Sequence, residues 1–236
     1  MTPRRRLLSV RPAAEAERTA AAAAEAGWEM VSAPLLEITP SPWAPPEGSF
    51  DALLLTSAQA VRQAGPLPSA VAALPVVAVG AHTAQAARAA GLRVVSEGDT
   101  DGSAALARAR AAGFARLLHL GGADRAPLTV PPGLHLEACA VYRARAVGRL
   151  PDEAVRELGA GTIFATLLMS PRSAALFAQA TDAAGLARRE LRLVGISPPA
   201  VAAAGGGWRG VAVADRPTLA AALAAAGQLW QERADG

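Results

Sequence analysis

The stretch Asp51–Val61, DALLLTSAQAV, decides the fold. An unbroken apolar run, Ala52–Leu55, is bounded by Asp51 on one side and by Thr56-Ser57 on the other, and an Ala-rich sequence follows. A short continuous apolar run reads as a strand buried on both faces, and a hydroxyl residue after it reads as the N-cap of a helix. The same junction recurs at Pro75–Ala87 (PVVAVGAHTAQAA), Thr162–Phe177 (TIFATLLMSPRSAALF) and Leu191–Ala204 (LRLVGISPPAVAAA). Each predicts a helix N-terminus that offers a hydroxyl or bare N–H groups, where an anion is favoured. Two such junctions in each half of the chain predict two α/β domains facing one polyanionic ligand.

The flanking segments continue the alternation. Arg6–Val10 reads as a strand, and the helix opened by Arg11-Pro12 ends at Gly27. Trp28–Ile38 reads as one strand region, and Thr39–Ser49 as a Pro-rich crossover. Helices are predicted over Ala58–Gln63, Ala81–Ala90 and Ser103–Ala112, with strands at Pro75–Val79, Leu92–Val95, Ala115–Leu120 and Leu136–Val147. A second series follows: helices at Pro151–Leu158, Pro171–Ala180, Pro198–Ala204 and Pro217–Gln231 separate strands at Thr162–Met169, Leu191–Ile196 and Trp208–Ala214. This order predicts parallel sheets with helices on both faces. The similarity of RLLSVRP to RLLHLGG, and of the strand–Ser–helix units across the halves, points to a domain-scale duplication. The first strand–helix unit would complete the C-terminal half. The predicted domains are 1–35 with 146–236, and an inserted 38–142, with Leu35–Thr39 and Ala138–Arg145 crossing between them as a pair.

Composition narrows the chemistry. With 236 residues, 52% of them hydrophobic, the chain can fill one large core or two small ones. All 23 basic residues are arginine, which excludes a Schiff-base lysine, a covalent pyridoxal phosphate anchor and a Walker lysine. Arginine suits bidentate carboxylate binding. A single cysteine, Cys139, permits no internal disulfide, and His82, His119 and His135 have no metal-binding spacing. No run has the length of a membrane span or a signal-peptide core, so a cytoplasmic protein is expected. The pI of 10.3 accompanies a net charge of only +3, few aromatics and no basic patch beyond Arg4–Arg6, which argues against nucleic-acid binding.

The candidate ligand-binding residues follow the strand ends. Thr56, Ser57, Ser170 and Ser197 are N-cap residues that could also meet a ligand, because open α/β sheets bind ligands at the carboxyl ends of their strands. Gly80 with Thr83 reads as the tightest turn of the four, with Gly80 allowing close backbone approach. Arg11 either binds an acidic ligand group or salt-bridges at the sheet edge. His119 reads as a satisfied core or strand-end histidine, Cys139 as a small apolar strand residue, and His135, Asp99 and Asp101 as solvated. Tyr142, the one tyrosine, reads as core packing or as a donor near the interdomain crossover. There is no G-x-G-x-x-G after a strand and no carboxylate pair in the pattern of a general acid and base.

Taken together, the opening strand with Arg11-Pro12, DALLLTSAQAV, VVAVGAHTAQAARAAGLRVV, DGSAAL (Asp101–Leu106), LLHLGG (Leu117–Gly122), Tyr142, LLMSPRSAALF and the C-terminal ISPPAVAAAGGGWRGVAVADRPTLAAAL resemble the uroporphyrinogen-III synthases over nearly the whole chain. The resemblance implies two α/β domains joined by a two-stranded ladder, with the N-terminal unit completing the C-terminal domain. It implies a cofactor-free and metal-free lyase that cyclises hydroxymethylbilane with loss of water and inversion of ring D through a spiro intermediate. The substrate carboxylates would be held in the interdomain cleft by backbone N–H and hydroxyl groups, giving Arg11, Thr56, Ser57, Gly80, Thr83, Gly121, Ser170 and Ser197 binding roles. Tyr142 matches the family tyrosine that assists loss of the hydroxyl. Ser197 and Ala200 stand where the family has Gly and Thr, so that threonine's role does not carry over directly. A monomer is expected, with no nucleic-acid or membrane partner and at most transient contact with the upstream deaminase. The alternative is a non-enzymatic two-domain binder of a small polyanionic metabolite. A response-regulator-type module is disfavoured, because its acidic pocket is replaced here by Ser9-Val10-Arg11.

Overall fold

A computed structural model of the chain describes residues 5–98, 101–125 and 127–234. Asp99, read above as solvated, lies outside them. In chain order the elements are β1 (Arg6–Ser9), α1 (Ala13–Glu25), β2 (Glu29–Ser32), β3 (Leu36–Pro40), β4 (Ala52–Leu55), α2 (Ala58–Gln63), α3 (Ser69–Ala72), β5 (Val76–Ala78), α4 (Ala81–Ala89), β6 (Val94–Glu97) and α5 (Gly102–Ala111). They continue as β7 (Arg116–Gly122), β8 (His135–Ala146), α6 (Asp152–Gly159), β9 (Ala165–Leu168), α7 (Pro171–Ala183), a 3₁₀ turn at Arg188–Glu190, β10 (Arg192–Gly195), α8 (Pro198–Ala204), β11 (Gly210–Val213) and α9 (Leu219–Ala234). The chain divides into two compact units, Met1–Glu37 with Arg145–Gly236, and Ile38–Ala144.

In the first unit the strands lie in the order β2-β1-β9-β10-β11, each pair parallel. The N-terminal β1-α1-β2 thus shares a sheet with the C-terminal strands. Side chains on a strand alternate between faces, and here both faces are apolar. Leu8, Leu168 and Leu193 pack with Ala154, Leu158, Ala174 and Phe177 of α6 and α7. Leu7, Leu167 and Val194 pack with Ala23 of α1 and Ala222 and Ala226 of α9. The alanine-rich helix faces let the helices approach the sheet closely, and larger rings close the ends: Phe164 meets Trp28 and Trp230 with ring centroids 5.7 and 4.8 Å away, and Phe177 stacks on Trp208.

The second unit has the order β3-β8-β7-β4-β5-β6, with β8, β7, β4, β5 and β6 mutually parallel. Leu53, Leu55, Leu118 and Leu120 meet Ala60 of α2, Val71 of α3 and Ala84 and Ala87 of α4. Leu54, Val77 and Leu117 meet Ala105, Leu106 and Ala109 of α5 on the other face. Trp43 packs against the first of these layers and its indole N–H donates to the Ala64 carbonyl at 2.9 Å, closing the end of α2.

The predicted α/β class, with parallel sheets and helices on both faces, is what the structure contains. The helix ends at Gly27 and Gly91 are Schellman closures: both glycines have φ +77°, and the Trp28 and Leu92 amides reach back to the Ala23 and Ala87 carbonyls at 2.8 and 3.0 Å. Trp28–Ile38, read as one strand region, is two strands in different sheets. Pro34 divides them, while the Ala33 and Leu35 amides still bond the carbonyls of Ser9 and Val10. Pro34 is the only punctuation at the change of sheet, and the apolar residues on either side of it carry the strand pattern across. The short α3 and the 3₁₀ turn are too brief for any periodic pattern to reveal. The two sheets share one parallel strand order: β8-β7-β4-β5-β6 matches β2-β1-β9-β10-β11 in sequence of neighbours, with β3 added at the β8 edge. β1 (RLLS) corresponds to the start of β7 (RLLH), so the internal similarity extends from the junctions to the topology, in circularly permuted chain order.

Each order reverses once, between β1 and β9 in the first unit and between β4 and β7 in the second. At such switch points the helices leave on opposite faces and a crevice opens beyond the carboxyl ends of the strands.

Two fully buried hydroxyls, Thr166 Oγ1 on β9 and Thr181 Oγ1 on α7, have no hydrogen-bond partner. A buried unpaired hydroxyl carries its desolvation cost uncompensated, so Thr166→Val and Thr181→Val should each raise the unfolding free energy by ~1 kcal/mol. Urea unfolding measures this, and a fall in the midpoint would mean that the hydroxyls are satisfied.

Candidate active site

In the second unit the switch point gathers Thr56 and Ser57, just beyond β4, and Gly121 and Gly122 at the end of β7. Leu55 pairs with Leu120 in the ladder, and Gly122 pairs with Tyr142 of β8 after a register shift at Gly121/Gly122. Ser57 caps α2, its Oγ accepting from the Gln59 amide at 3.2 Å. Thr56 Oγ1 lies 3.0 Å from His119 Nε2. His119 sits on the same sheet face as Leu117 and is 1% exposed. A Cβ added to Gly121 would stand 2.9 Å from that Nε2, and one added to Gly122 would stand 2.9 Å from the Tyr142 ring. The two glycines therefore make room for an imidazole and a phenol. Beside them a cavity of about 270 Å³ is lined by His119, Ala123, Arg125, Pro127, Leu128 and Leu136.

Gly80 and Thr83 stand at the neighbouring strand end. Gly80 is the N-cap of α4 with φ −154°, extended backbone that any residue adopts, and an added Cβ would meet only the Gly98 carbonyl at 3.9 Å. The tight turn expected there is absent; the glycine leaves open space in front of the first amides of α4. Thr83 is buried in that first turn. Asp101, read as solvated, is exposed but caps α5 by accepting from the Ala104 amide at 2.9 Å.

In the first unit, Arg11 follows β1 and Ser170 follows β9, so both stand at the switch point. Of the two roles open to Arg11, the structure displays an ion pair: Nε donates to Glu15 Oε2 at 2.8 Å and Nη1 to Thr19 Oγ1 at 3.3 Å, tying the guanidinium to α1. Ser170 caps α7 by accepting from the Ser173 amide at 3.1 Å. Ser197 departs from the N-cap expectation. It occupies the N-cap position of α8 but makes no side-chain cap bond. Pro198 and Pro199 remove the first two donors, and the Ala200 amide bonds the Ser197 carbonyl at 3.1 Å. α8 therefore offers neither bare N–H groups at its first two positions nor a capped hydroxyl.

Sequence reasoning read His119 as satisfied in the strand, which its bond to Thr56 supports, but did not place it at the candidate site. The available signal was a polar residue inside RLLHLGG with glycine two positions on, the same face of the strand. Arg125 was missed because it lies in a segment without periodicity. Its guanidinium Nη1 donates to the Gly122 carbonyl at 3.2 Å. Among the described residues, no group of three His, Cys, Asp or Glu side chains is arranged to hold a metal ion, and no helix is long and apolar enough to cross a membrane.

The caps differ in a measurable way. Ser57→Ala should cost about 1 kcal/mol of stability through loss of its cap, whereas Ser197→Ala should change it by less than about 0.5 kcal/mol; chemical denaturation of the two variants makes the comparison. Burial, with the charge of Arg125 a smaller cause, holds the His119 pKa down at about 4. The unfolded chain protonates near pH 6.5 and the folded chain does not, so stability is full above that pH and falls as the pH drops toward 4. The loss is about 3 kcal/mol for a shift of this size, and it should be missing from the unfolding free energy of His119→Leu measured over the same range.

Comparison with known proteins agrees with this architecture. The sequence model of the uroporphyrinogen-III synthase HemD family matches residues 17–224. The solved uroporphyrinogen-III synthetase of Helicobacter pylori is similar in fold, with a TM-score of 0.60 at 15% identity over 95% of this chain and 99% of that one. A mutant uroporphyrinogen III synthase from the extreme thermophile Thermus thermophilus aligns over 96% of this chain and 99% of its own, at 18% identity and a TM-score of 0.49. No curated protein sequence gives a match. The match to the family spans most of the sequence and both units, and the chain belongs to the uroporphyrinogen-III synthase family, enzymes of tetrapyrrole and heme biosynthesis.

Proposed function

We propose that the protein is a lyase that converts hydroxymethylbilane into uroporphyrinogen III. The observation that carries this reading is the family match over residues 17–224. The reaction removes water from the hydroxymethyl group, inverts ring D through a spiro intermediate and closes the macrocycle. Departure of hydroxide from an electron-rich pyrrole needs only modest acid assistance. Tyr142 supplies it in this proposal: its half-buried phenol lies over Gly122, where no side chain intervenes. The larger task is holding a flexible chain so that the inverted ring meets its carbon, which is a matter of orientation and entropy.

Substrate carboxylates are the handles for that orientation. We assign their binding to Thr56, Ser57, Gly80, Thr83 and Gly121 at the carboxyl edge of one sheet, and to Arg11, Ser170 and Ser197 at that of the other. The amides at the start of α4 and the hydroxyls at the strand ends suit anions. Arg11 would have to share its guanidinium with Glu15. The enzyme is taken to act as a cytoplasmic monomer that receives its substrate from the upstream deaminase, without a cofactor.

The decisive test generates hydroxymethylbilane in situ, oxidises the products and separates the porphyrin isomers. Predominantly type III product is expected. Type I alone, the uncatalysed closure product, from folded protein would overturn the assignment and leave a binder of a polyanionic metabolite. Tyr142→Phe should slow turnover, and Ser57→Ala or Thr83→Ala should weaken binding and rate, with none abolishing activity. Complete inactivity of one folded single variant would contradict a distributed site.

A further inference from the structure

We propose that His119 is a positioning residue for this reaction: its buried imidazole fixes the hydroxyl of Thr56 so that Thr56 presents its single proton to a substrate carboxylate. The inference rests on the reading of Thr56 as a substrate-binding residue and adds the group that orients it. Three contacts define the arrangement. Thr56 Oγ1 is 3.0 Å from His119 Nε2. The Thr56 methyl faces the start of α5, where a Cβ on Gly102 would lie 3.4 Å from Thr56 Cγ2 and 2.5 Å from Leu128 Cδ2. The imidazole lies against Gly121, where a Cβ would lie 2.9 Å from Nε2. The methyl and the imidazole thus each have one seat, and the hydroxyl oxygen is held between them.

A hydroxyl held by one partner still has to choose a direction for its proton. An uncharged imidazole carries one N–H and one lone pair. When Nε2 carries the hydrogen, it donates to Thr56 Oγ1, and the Thr56 proton is free to be donated onward. A carboxylate accepts hydrogen bonds only, so the sequence Nε2–H to Oγ1–H to carboxylate runs in one direction, and each bond polarises the next. The opposite tautomer would use the Thr56 proton internally and turn a lone pair toward the anion. Burial keeps the imidazole uncharged through the neutral range. The imidazole also lines the nearby cavity whose wall carries Arg125.

The test combines steady-state kinetics with ¹⁵N NMR of the histidine ring. His119→Leu should raise KM about 3- to 10-fold, the range of one neutral hydrogen bond, with kcat little changed. His119→Gln, whose amide N–H can replace Nε2–H, should restore most of the affinity. Thr56→Val should raise KM comparably, and the His119→Leu/Thr56→Val double variant should be no worse than the worse single variant. The ring ¹⁵N shifts should report Nε2–H in the wild type. A proton on Nδ1 overturns the proposal whatever the activity. So does an unchanged KM in His119→Leu, or additive losses in the double variant. If Thr56→Val alone leaves KM unchanged while type III product forms, the Thr56 assignment and this proposal fail and the enzyme assignment stands. Absence of type III product from the wild type overturns the enzyme assignment itself.

Discussion

A strand covered by helices on both faces can hold a side-chain polar group away from its ends only at a desolvation cost, as Thr166 does on β9, or with a partner, as His119 does on β7. β4 is the clearest case: Ala52–Leu55 are all buried, and every backbone N–H and C=O between the helix layers has to be paired with a neighbouring strand. Polar side chains are thereby displaced to the point where the strand stops. Thr56 and Ser57 come immediately after Leu55, as Ser170 comes two residues after Leu168. Hydroxyl and glycine residues collect at the carboxyl edges because the sheets are parallel and sandwiched, and the two switch points mark where those edges open.

The four junctions that look alike in sequence are not alike in chemistry. Ser57 and Ser170 spend their side-chain oxygens on helix amides. Gly80 places no side chain in front of the start of α4. Ser197 precedes two prolines that delete the N1 and N2 donors, and the N3 amide of Ala200 bonds the Ser197 carbonyl instead of its hydroxyl. A shared pattern of strand, small residue and helix specifies where a site can form. The individual residues at N1 to N3 decide whether an anion finds an amide, a hydroxyl or neither.

That distinction also describes how far the sequence could be read. Element type was legible because continuous apolar runs and alanine-rich helix faces leave little ambiguity, and Gly27 and Gly91 mark two helix ends sharply. The sheet change near Pro34 was not legible, since strand periodicity carries no record of which sheet a strand joins. For Arg11 a salt bridge was one of two legible roles; the sequence did not choose between it and a ligand contact or name Glu15 as the partner, although the four-residue spacing allowed the pair. His119 is the most instructive case: its burial was foreseeable, but its partner Thr56 is 63 residues away in the chain, and only the pairing of β4 with β7 brings the two together.

The four tryptophans are divided unevenly by the fold. Trp28, Trp208 and Trp230 belong to the first unit, two of them in one aromatic cluster with Phe164 and the third stacked on Phe177. Trp43 is the single indole of the second, hydrogen-bonded to the end of the helix that Ser57 caps. Intrinsic fluorescence is therefore already partitioned by domain. With Trp43 alone retained, emission becomes a native optical reporter of the segment that carries Thr56 and Ser57, without any attached dye.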